Sequence, residues 1–470
     1  MEDVRGLILA AGQGTRMKSD LLKVLHPVMG VPMISLVVEA LKEAEIFHPA
    51  VVIGYQGDRV RETLGSSADY AVQSEQKGTG HAVVQATHLL EGYRDVLILY
   101  GDVPLVTGNL LANIVRRHRS SGAAATLLTA MVEDPTGLGR VIRDEKGDLV
   151  SIVEEADASH AESAIREINT AIACFRVEHL LRCLPHLRAD NVQGEYYLPD
   201  VFPMLLEQNL AVETVTAPDA RSVMGVNTRA GLAAANSILR RRILEDIMES
   251  GVTVVDPEST WIEFGVRVGR DTVIMPQTLI RGESVVGSGC EIGPGTHLIN
   301  SVVGDESRVW HSVLEDSTLG TNVSVGPYAH LRPGNDIADE VRIGNFAEIK
   351  NSSLGRGTKV SHHSYIGDTE VGEKVNIGAG VITVNYDGWQ KHLTIIDDGA
   401  FVGCNSNLLA PVTVGEGAFI AAGSTVDCDV PPGALGVGRS RMAIKDGWAN
   451  ERRERQRRSR PFEEDNRDVE

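Results

Sequence analysis

Between Val268 and Val426 an aliphatic residue returns every six positions. The run reads Val268, Ile274, Ile280, Val286, Ile292 and Leu298, then Val303, Val309, Leu319, Val325 and Leu331. It continues through Ile337, Ile343, Ile349, Leu354, Val360, Ile366, Val371 and Ile377, and closes with Ile396, Val402, Leu408, Val414, Ile420 and Val426. Glycine often follows, as at Gly287, Gly293, Gly344, Gly378 and Gly403. Neither the helix period nor strand alternation gives this spacing. A hexapeptide beat is the mark of a parallel β-helix, in which three short strands make a coil and stacked coils share one core. Coil starts at Val286, Val303, Leu319, Ile337, Leu354, Val371, Ile396 and Val414 stand 16 to 18 residues apart, except for a gap of 25 before Ile396. About seven residues therefore leave the coil between Thr383 and Ile396.

The first half has another grammar. Gly6–Ala11, Ala50–Gly54 and Val96–Tyr100 are short apolar runs, with helical stretches such as Met33–Ala44 and Gly80–Leu90 between them. Strands alternating with helices predict an α/β domain with a largely parallel sheet that binds ligand at the strands' carboxyl ends. We place this domain at residues 1–229. Residues 230–250 follow as a connecting helix with Leu232, Leu239, Ile243 and Ile247 on one face. The β-helix then occupies 251–448, and a charged tail, expected to be disordered, occupies 449–470.

A formal charge of −19 argues against nucleic-acid and acidic-membrane partners. The tail arginines, Arg452, Arg453, Arg455, Arg457, Arg458 and Arg460, precede an acidic end, so they read as a solvated segment rather than a nucleic-acid arm. Five cysteines without metal-ligand spacing suggest reduced thiols. No run has transmembrane length, and Met1 is followed by Glu2 and Asp3 rather than a secretion signal, so a cytoplasmic location is expected.

Leu9–Met17 reads L-A-A-G-Q-G-T-R-M after the first strand. Gly12 and Gly14 let backbone N–H groups approach phosphates, although Met17 stands where a dinucleotide fingerprint needs glycine. With Lys23 and Pro27 downstream, the string resembles the signature of sugar-phosphate nucleotidyltransferases. The resemblance implies that Leu9, Gly12, Gly14, Arg16 and Lys23 meet a triphosphate, and that Gln73, Gly78 and Thr79 read uracil. Tyr100 and Asp102 fall at a strand's end, where an Mg²⁺ ligand would sit. Gly139, Glu154 and Asn169 match positions that hold the sugar, and Asn227 matches a second metal ligand beside Asp102. Gln13 departs from the pattern, replacing a common basic residue.

In the repeat region Arg332 and Lys350 leave successive coils and could hold an anion such as a sugar phosphate, although charged residues also solvate outer faces. His362 and Tyr365 sit in S-H-H-S-Y one coil further on, Asn376 follows, and Asn385-Tyr386 opens the long insertion. Both halves, in this order, resemble the bifunctional bacterial enzymes that make UDP-N-acetylglucosamine: an N-terminal Rossmann-like nucleotidyltransferase domain followed by a left-handed parallel β-helix. The resemblance implies that Arg332, Lys350, Tyr365 and Asn376 hold glucosamine 1-phosphate and that His362 is the general base, with His363 the rival. It places Ala379, Asn385, Tyr386, Cys404, Ala422 and Arg439 along acetyl-CoA. Cys404 stands where a serine is expected; packed inward, it would be a small inert hydrophobe.

By that resemblance the chain transfers acetyl from acetyl-CoA to glucosamine 1-phosphate. It then transfers uridylyl from UTP to N-acetylglucosamine 1-phosphate with Mg²⁺, releasing pyrophosphate. The product is a precursor of peptidoglycan and lipopolysaccharide in cell-wall biogenesis. A homotrimer is implied, each acetyl-transfer site drawing on neighbouring subunits. The alternative is a monofunctional nucleotidyltransferase whose β-helix regulates or oligomerises.

Overall fold

The computed structural model describes residues 3–459, and the chain divides into two units, Met1–Val285 and Val286–Glu470.

The first unit is built on a sheet whose strands run in the order Val212–Thr216, Ala125–Met131, Glu167–Arg176, Asp95–Tyr100, Val4–Leu9, Ala50–Ile53, Asp69–Val72. Val4–Leu9 and Ala50–Ile53 are buried at every position, which is why they read as unbroken apolar runs. Val4–Leu9 lies parallel to both neighbours. The sheet is nonetheless mixed: Glu167–Arg176 runs antiparallel to the strands on either side. The chain reaches it through the hairpin Arg140–Arg143/Leu149–Val153 and not through a crossover helix, so the return strand reverses direction. The helix Arg229–Glu249 is capped by Thr228, whose hydroxyl accepts from Gly231 N at 3.1 Å. It is more than a connector. Ala235 and Leu239 pack in one cluster with Met33, Leu105 and Val226, and Arg242 donates to Leu105 O at 2.7 Å. The first short parallel strand pairs, Thr253–Val254 with Val273–Ile274 and Trp261–Ile262 with Leu279–Arg281, also belong to this unit.

In the second unit the hexads become three parallel ladders. One carries Ile292, Val309, Val325, Ile343, Val360, Ile377, Val402 and Ile420. A second stacks Val303, Leu319, Ile337, Leu354, Val371, Ile396 and Val414. The third runs Leu298, Leu314, Leu331, Ile349 and Ile366, and ends Thr383, Leu408, Val426. None of these side chains is more than 6% exposed. Thr383 fills the one silent position in the beat. Its hydroxyl accepts from Gly367 N at 2.8 Å and reaches Gly367 O at 3.2 Å, so a polar group is carried in the core without an unmet bond. The chain then leaves the coil between the strands Ile382–Val384 and Thr394–Ile396.

The tail differs from expectation. Trp448–Ser459 forms a helix with no buried residue, while Arg460 and the acidic end lie outside the described residues. Among the described residues no helix is long and apolar enough to cross a membrane.

Candidate active sites

The loop after the first strand turns on Gly14, whose backbone is left-handed at φ 67; a Cβ there would collide with Lys23 Cβ. Glycine is therefore what lets Lys23 close over the loop. The loop leads into one 3-10 turn, Thr15–Met17, not an α-helix. A helix macrodipole contributes little here, and the backbone N–H groups, Arg16 and Lys23 supply the positive field.

Lys23 Nζ lies 2.5 Å from Asp102 Oδ2 and 2.9 Å from Asn227 Oδ1, and Arg16 donates to the same Asn227 oxygen at 3.0 Å. Asp102 is only 7% exposed. Residues 16, 23, 102 and 227, far apart in sequence, thus converge on one point. One carboxylate oxygen and one amide oxygen meeting on the Lys23 ammonium are the donor set of a hard divalent metal that completes its shell with phosphate oxygens and water. Among the described residues no three His, Cys, Asp or Glu side chains gather as a metal-binding group, so substrate would have to supply the remaining ligands.

Beside this point opens a cavity of about 230 Å³ lined by Leu9, Gly12, Lys23, Gln73, Gly78, Thr79, Tyr100 and Asp102. Gln73 is held by hydrogen bonds to Gly78 O and to the His81 ring. Gly78 turns at φ 105, where a Cβ would strike Tyr196 O. Tyr100 is partly buried, and desolvation pushes its hydroxyl well above the usual phenol range, with Thr79, Glu154 and Asp102 all bearing on it. Gly139, Glu154 and Asn169 are also together: Asn169 N donates to Gly139 O at 2.9 Å, and a Cβ on Gly139 would touch the Glu154 carboxylate. Burial first, then the charges of Asp157 and Asp200, hold the Glu154 carboxyl above its usual range. Gln76 and Glu195 line the cavity too. Nothing in the sequence marks Glu195; it arrives because Tyr196 O accepts from Gly80 N at 2.8 Å.

In the second unit, one outer sheet face carries a cationic group. Arg332 pairs with Glu348 at 3.0 Å, and Lys350 lies near both Arg332 and Lys391. The Lys391 amine, followed by burial, pulls the Lys350 amine below its usual range, the mark of cations gathered without enough anion. Asn385 donates to Asp368 Oδ2 at 2.5 Å and to Tyr365 Oη at 3.4 Å. A Cβ on Gly367 would hit both Tyr365 Oη and Asn385 Nδ2, so that glycine makes room for the pair. Burial raises the Asp368 carboxyl, but hydrogen bonds from Asn351 and Asn385 outweigh it and hold the group low. Tyr386 lies exposed on the insertion, its hydroxyl bonded to Gly388 O. Asn376 does not join this cluster. It sits half-buried in its ladder between Lys359 and Phe401.

His362 Nδ1 faces Asn345 Oδ1 at 2.5 Å. His363 instead turns out at φ 47 and packs its ring at a tilt on Phe346, with ring centroids 4.9 Å apart. Above His362 the corner of each coil is small. Gly380 N donates to His362 O, Asn405 N to Ala379 O, and Gly423 N to Cys404 O. His362, Ala379, Cys404 and Ala422 therefore occupy one column of successive coils, and Arg439 lies beside Gly423 at its top. Cys404 is exposed on that column and not packed inward; Cys428 is exposed, and Cys290 is buried. Asn345, Asp368 and Lys391 went unread in the sequence. Asn345 could have been found by stepping one coil back from His362, whereas Lys391 lies in the insertion, where no period operates.

Known proteins carry the same two parts. Residues 6–188 match the MobA-like NTP transferase domain, and residues 393–428 match the bacterial transferase hexapeptide, six repeats. Relatives named bifunctional protein GlmU match along nearly the whole chain. The one from Geobacillus sp. (strain WCH70) is 48% identical over 445 residues, 94% of this chain and 97% of its own. That of Heliobacterium modesticaldum is 49% identical over 443 residues, 94% and 97%, and that of Brevibacillus brevis 48% over 451, 96% and 98%. With identity at this level running through both units, this chain belongs to the family of bifunctional GlmU proteins.

Proposed function

We propose that the chain makes UDP-N-acetylglucosamine in two steps at two separate sites, with the functional division at residues 229 and 251. In the first, glucosamine 1-phosphate is held by Arg332, Lys350, Tyr365 and Lys391, with Asn376, which stands apart from them within one chain, reaching it from a neighbouring copy. Its amine attacks the thioester carbonyl of acetyl-CoA; the new C–N bond forms and the C–S bond breaks. His362 takes the amine proton and can return it to the leaving thiolate, so coenzyme A departs as the thiol. Acetyl-CoA lies along Ala379, Cys404, Ala422 and Arg439, with Asn385 and Tyr386 from the insertion.

In the second step the phosphate oxygen of N-acetylglucosamine 1-phosphate attacks the α-phosphorus of UTP, and pyrophosphate leaves. The nucleophile is already ionised, so the site needs positioning and charge rather than a base. Leu9, Gly12 and Gly14 cradle the triphosphate, and Arg16 and Lys23 neutralise it. Gln73, Gly78 and Thr79 hold the uracil, while Tyr100, Gly139, Glu154 and Asn169 hold the sugar. Asp102 and Asn227 would hold Mg²⁺, which would supply further neutralisation of phosphate charge. The enzyme acts in the cytoplasm as a homotrimer. Ile382, Val384 and Leu409, outward-facing aliphatics in register on one sheet, support cover by a second copy.

The observation that carries the two-activity reading over a monofunctional one is the column of small, open residues rising from His362, a path an oligomerising stalk has no need of. Purified chain given only acetyl-CoA and glucosamine 1-phosphate should release thiol and form the N-acetyl sugar phosphate. No release would leave the uridylyl activity alone standing.

A further inference from the structure

Asn345 stands one coil below His362 as its partner in the parallel register of Arg342–Asn345 with Lys359–His362. The two are joined twice. His363 N donates to Asn345 O at 3.0 Å, and Asn345 Oδ1 meets His362 Nδ1 at 2.5 Å. The tilted ring contact of Phe346 with His363 ties down the following residue of each strand, so the segment 345–346 holds 362–363 from below. Arg342 and Lys359 face each other at the far ends of the two strands. The next coil brings Ala379 and Gly380, and His363 is turned onto Phe346, leaving Asn345 as the polar side chain against Nδ1.

An amide oxygen only accepts, so the ring nitrogen facing it carries the proton and the lone pair is left on Nε2. Nε2 then points away from Asn345, free for an amine. When that lone pair takes a proton, the Nδ1–H stays bonded to a fixed dipole whose negative end faces the new charge, with no reorganisation required. We propose that Asn345 is a positioning residue for acetyl transfer: its side-chain oxygen fixes the ring orientation and tautomer of His362 and steadies the ring once protonated. This rests on His362 being the base.

The test uses the full chain, with acetyl transfer followed by coenzyme A release across pH at saturating substrates. Thermal unfolding of each variant establishes that the fold is kept. Asn345→Leu should lower kcat roughly 10- to 100-fold, the scale known for residues that orient metal-bound imidazoles and taken here by analogy, with both KM values within about threefold. Asn345→Asp, nearly isosteric and offering only oxygens, should recover most of that loss. It should also move the acid limb of the profile up by roughly one unit, because a carboxylate favours the protonated ring. Two results would overturn the proposal: an unchanged kcat in Asn345→Leu, or equal losses in both variants with the acid limb unmoved, the sign of a merely structural contact. His362→Ala run in parallel separates the two levels. Full acetyl transfer in that variant would remove the base assignment itself and the proposal with it.

Discussion

Replacing Asp102 with alanine removes the anion at the point where Arg16, Lys23 and Asn227 meet. The Asp102 side chain is 10% exposed and sits 2.5 Å from a Lys23 ammonium whose side chain is 17% exposed, so the pair is largely desolvated. Truncating one member of such a pair leaves the other charge buried with a neutral amide for company, and costs about 3–5 kcal/mol. That cost falls on stability; on the rate, unseating Lys23 from the reacting phosphates forfeits preorganised charge worth about 3–4 kcal/mol, so at about 1.4 kcal/mol per tenfold uridylyl transfer should fall roughly 10²–10³-fold. Any Mg²⁺ held there loses its ionised ligand at the same time, which presses in the same direction. Acetyl transfer depends on residues of the other unit and should stay near its native rate. Pyrophosphate release from UTP and N-acetylglucosamine 1-phosphate measures the first activity, and thiol release from acetyl-CoA the second. A folded Asp102→Ala protein that loses both activities together, or keeps uridylyl transfer within a few-fold, refutes this reasoning.

Other changes should divide the molecule as sharply. His362→Ala should cut acetyl-transfer kcat by roughly 10²–10⁴-fold, the scale of a general base, while His363→Ala, which removes a ring contact with Phe346, should cost far less; a reversal would mean the wrong imidazole. A thiol reagent should block acetyl transfer through exposed Cys404, with acetyl-CoA slowing the loss and uridylyl transfer spared. Equal inactivation of native and Cys404→Ser protein would point to Cys428 instead. The Glu154 carboxyl is raised in the folded chain by burial and by Asp157 and Asp200, so its contribution to stability is full below the unfolded value and is lost as pH rises through the folded one. Glu154→Gln should therefore melt higher than the native chain near pH 8, with the gain fading toward pH 4, while the KM for N-acetylglucosamine 1-phosphate rises. On dilution, acetyl transfer should fail before uridylyl transfer, checked by sedimentation; a monomer with full acetyl transfer would contradict the shared site.

The β-helix was legible because each inward position of a coil accepts little but an aliphatic side chain, so the core is written into the sequence at fixed intervals. Thr383 broke the beat because a hydroxyl that meets the Gly367 peptide is as acceptable there as a methyl group. The sheet of the first unit was less legible: Gly6–Ala11, Ala50–Gly54 and Val96–Tyr100 stood out as apolar runs, while the partly exposed Glu167–Arg176 went unread, and its direction is decided by the hairpin before it. Glycines told where the backbone must turn, as at Gly14 and Gly78, yet not which residues come to lie against them. Lys23, Asp102 and Asn227 could be named separately, whereas their meeting at one point is a product of folding. The helix Trp448–Ser459 escaped notice because it has no apolar stripe to give a period.

Both halves of the account meet in a single reaction mixture. Purified chain with acetyl-CoA, glucosamine 1-phosphate, UTP and Mg²⁺ should yield coenzyme A, pyrophosphate and UDP-N-acetylglucosamine, identified by mass. Omitting acetyl-CoA should stop formation of the acetylated nucleotide sugar, and adding N-acetylglucosamine 1-phosphate should restore it. Acetylated nucleotide sugar formed only when N-acetylglucosamine 1-phosphate is supplied would contradict the claim that this one chain carries both activities.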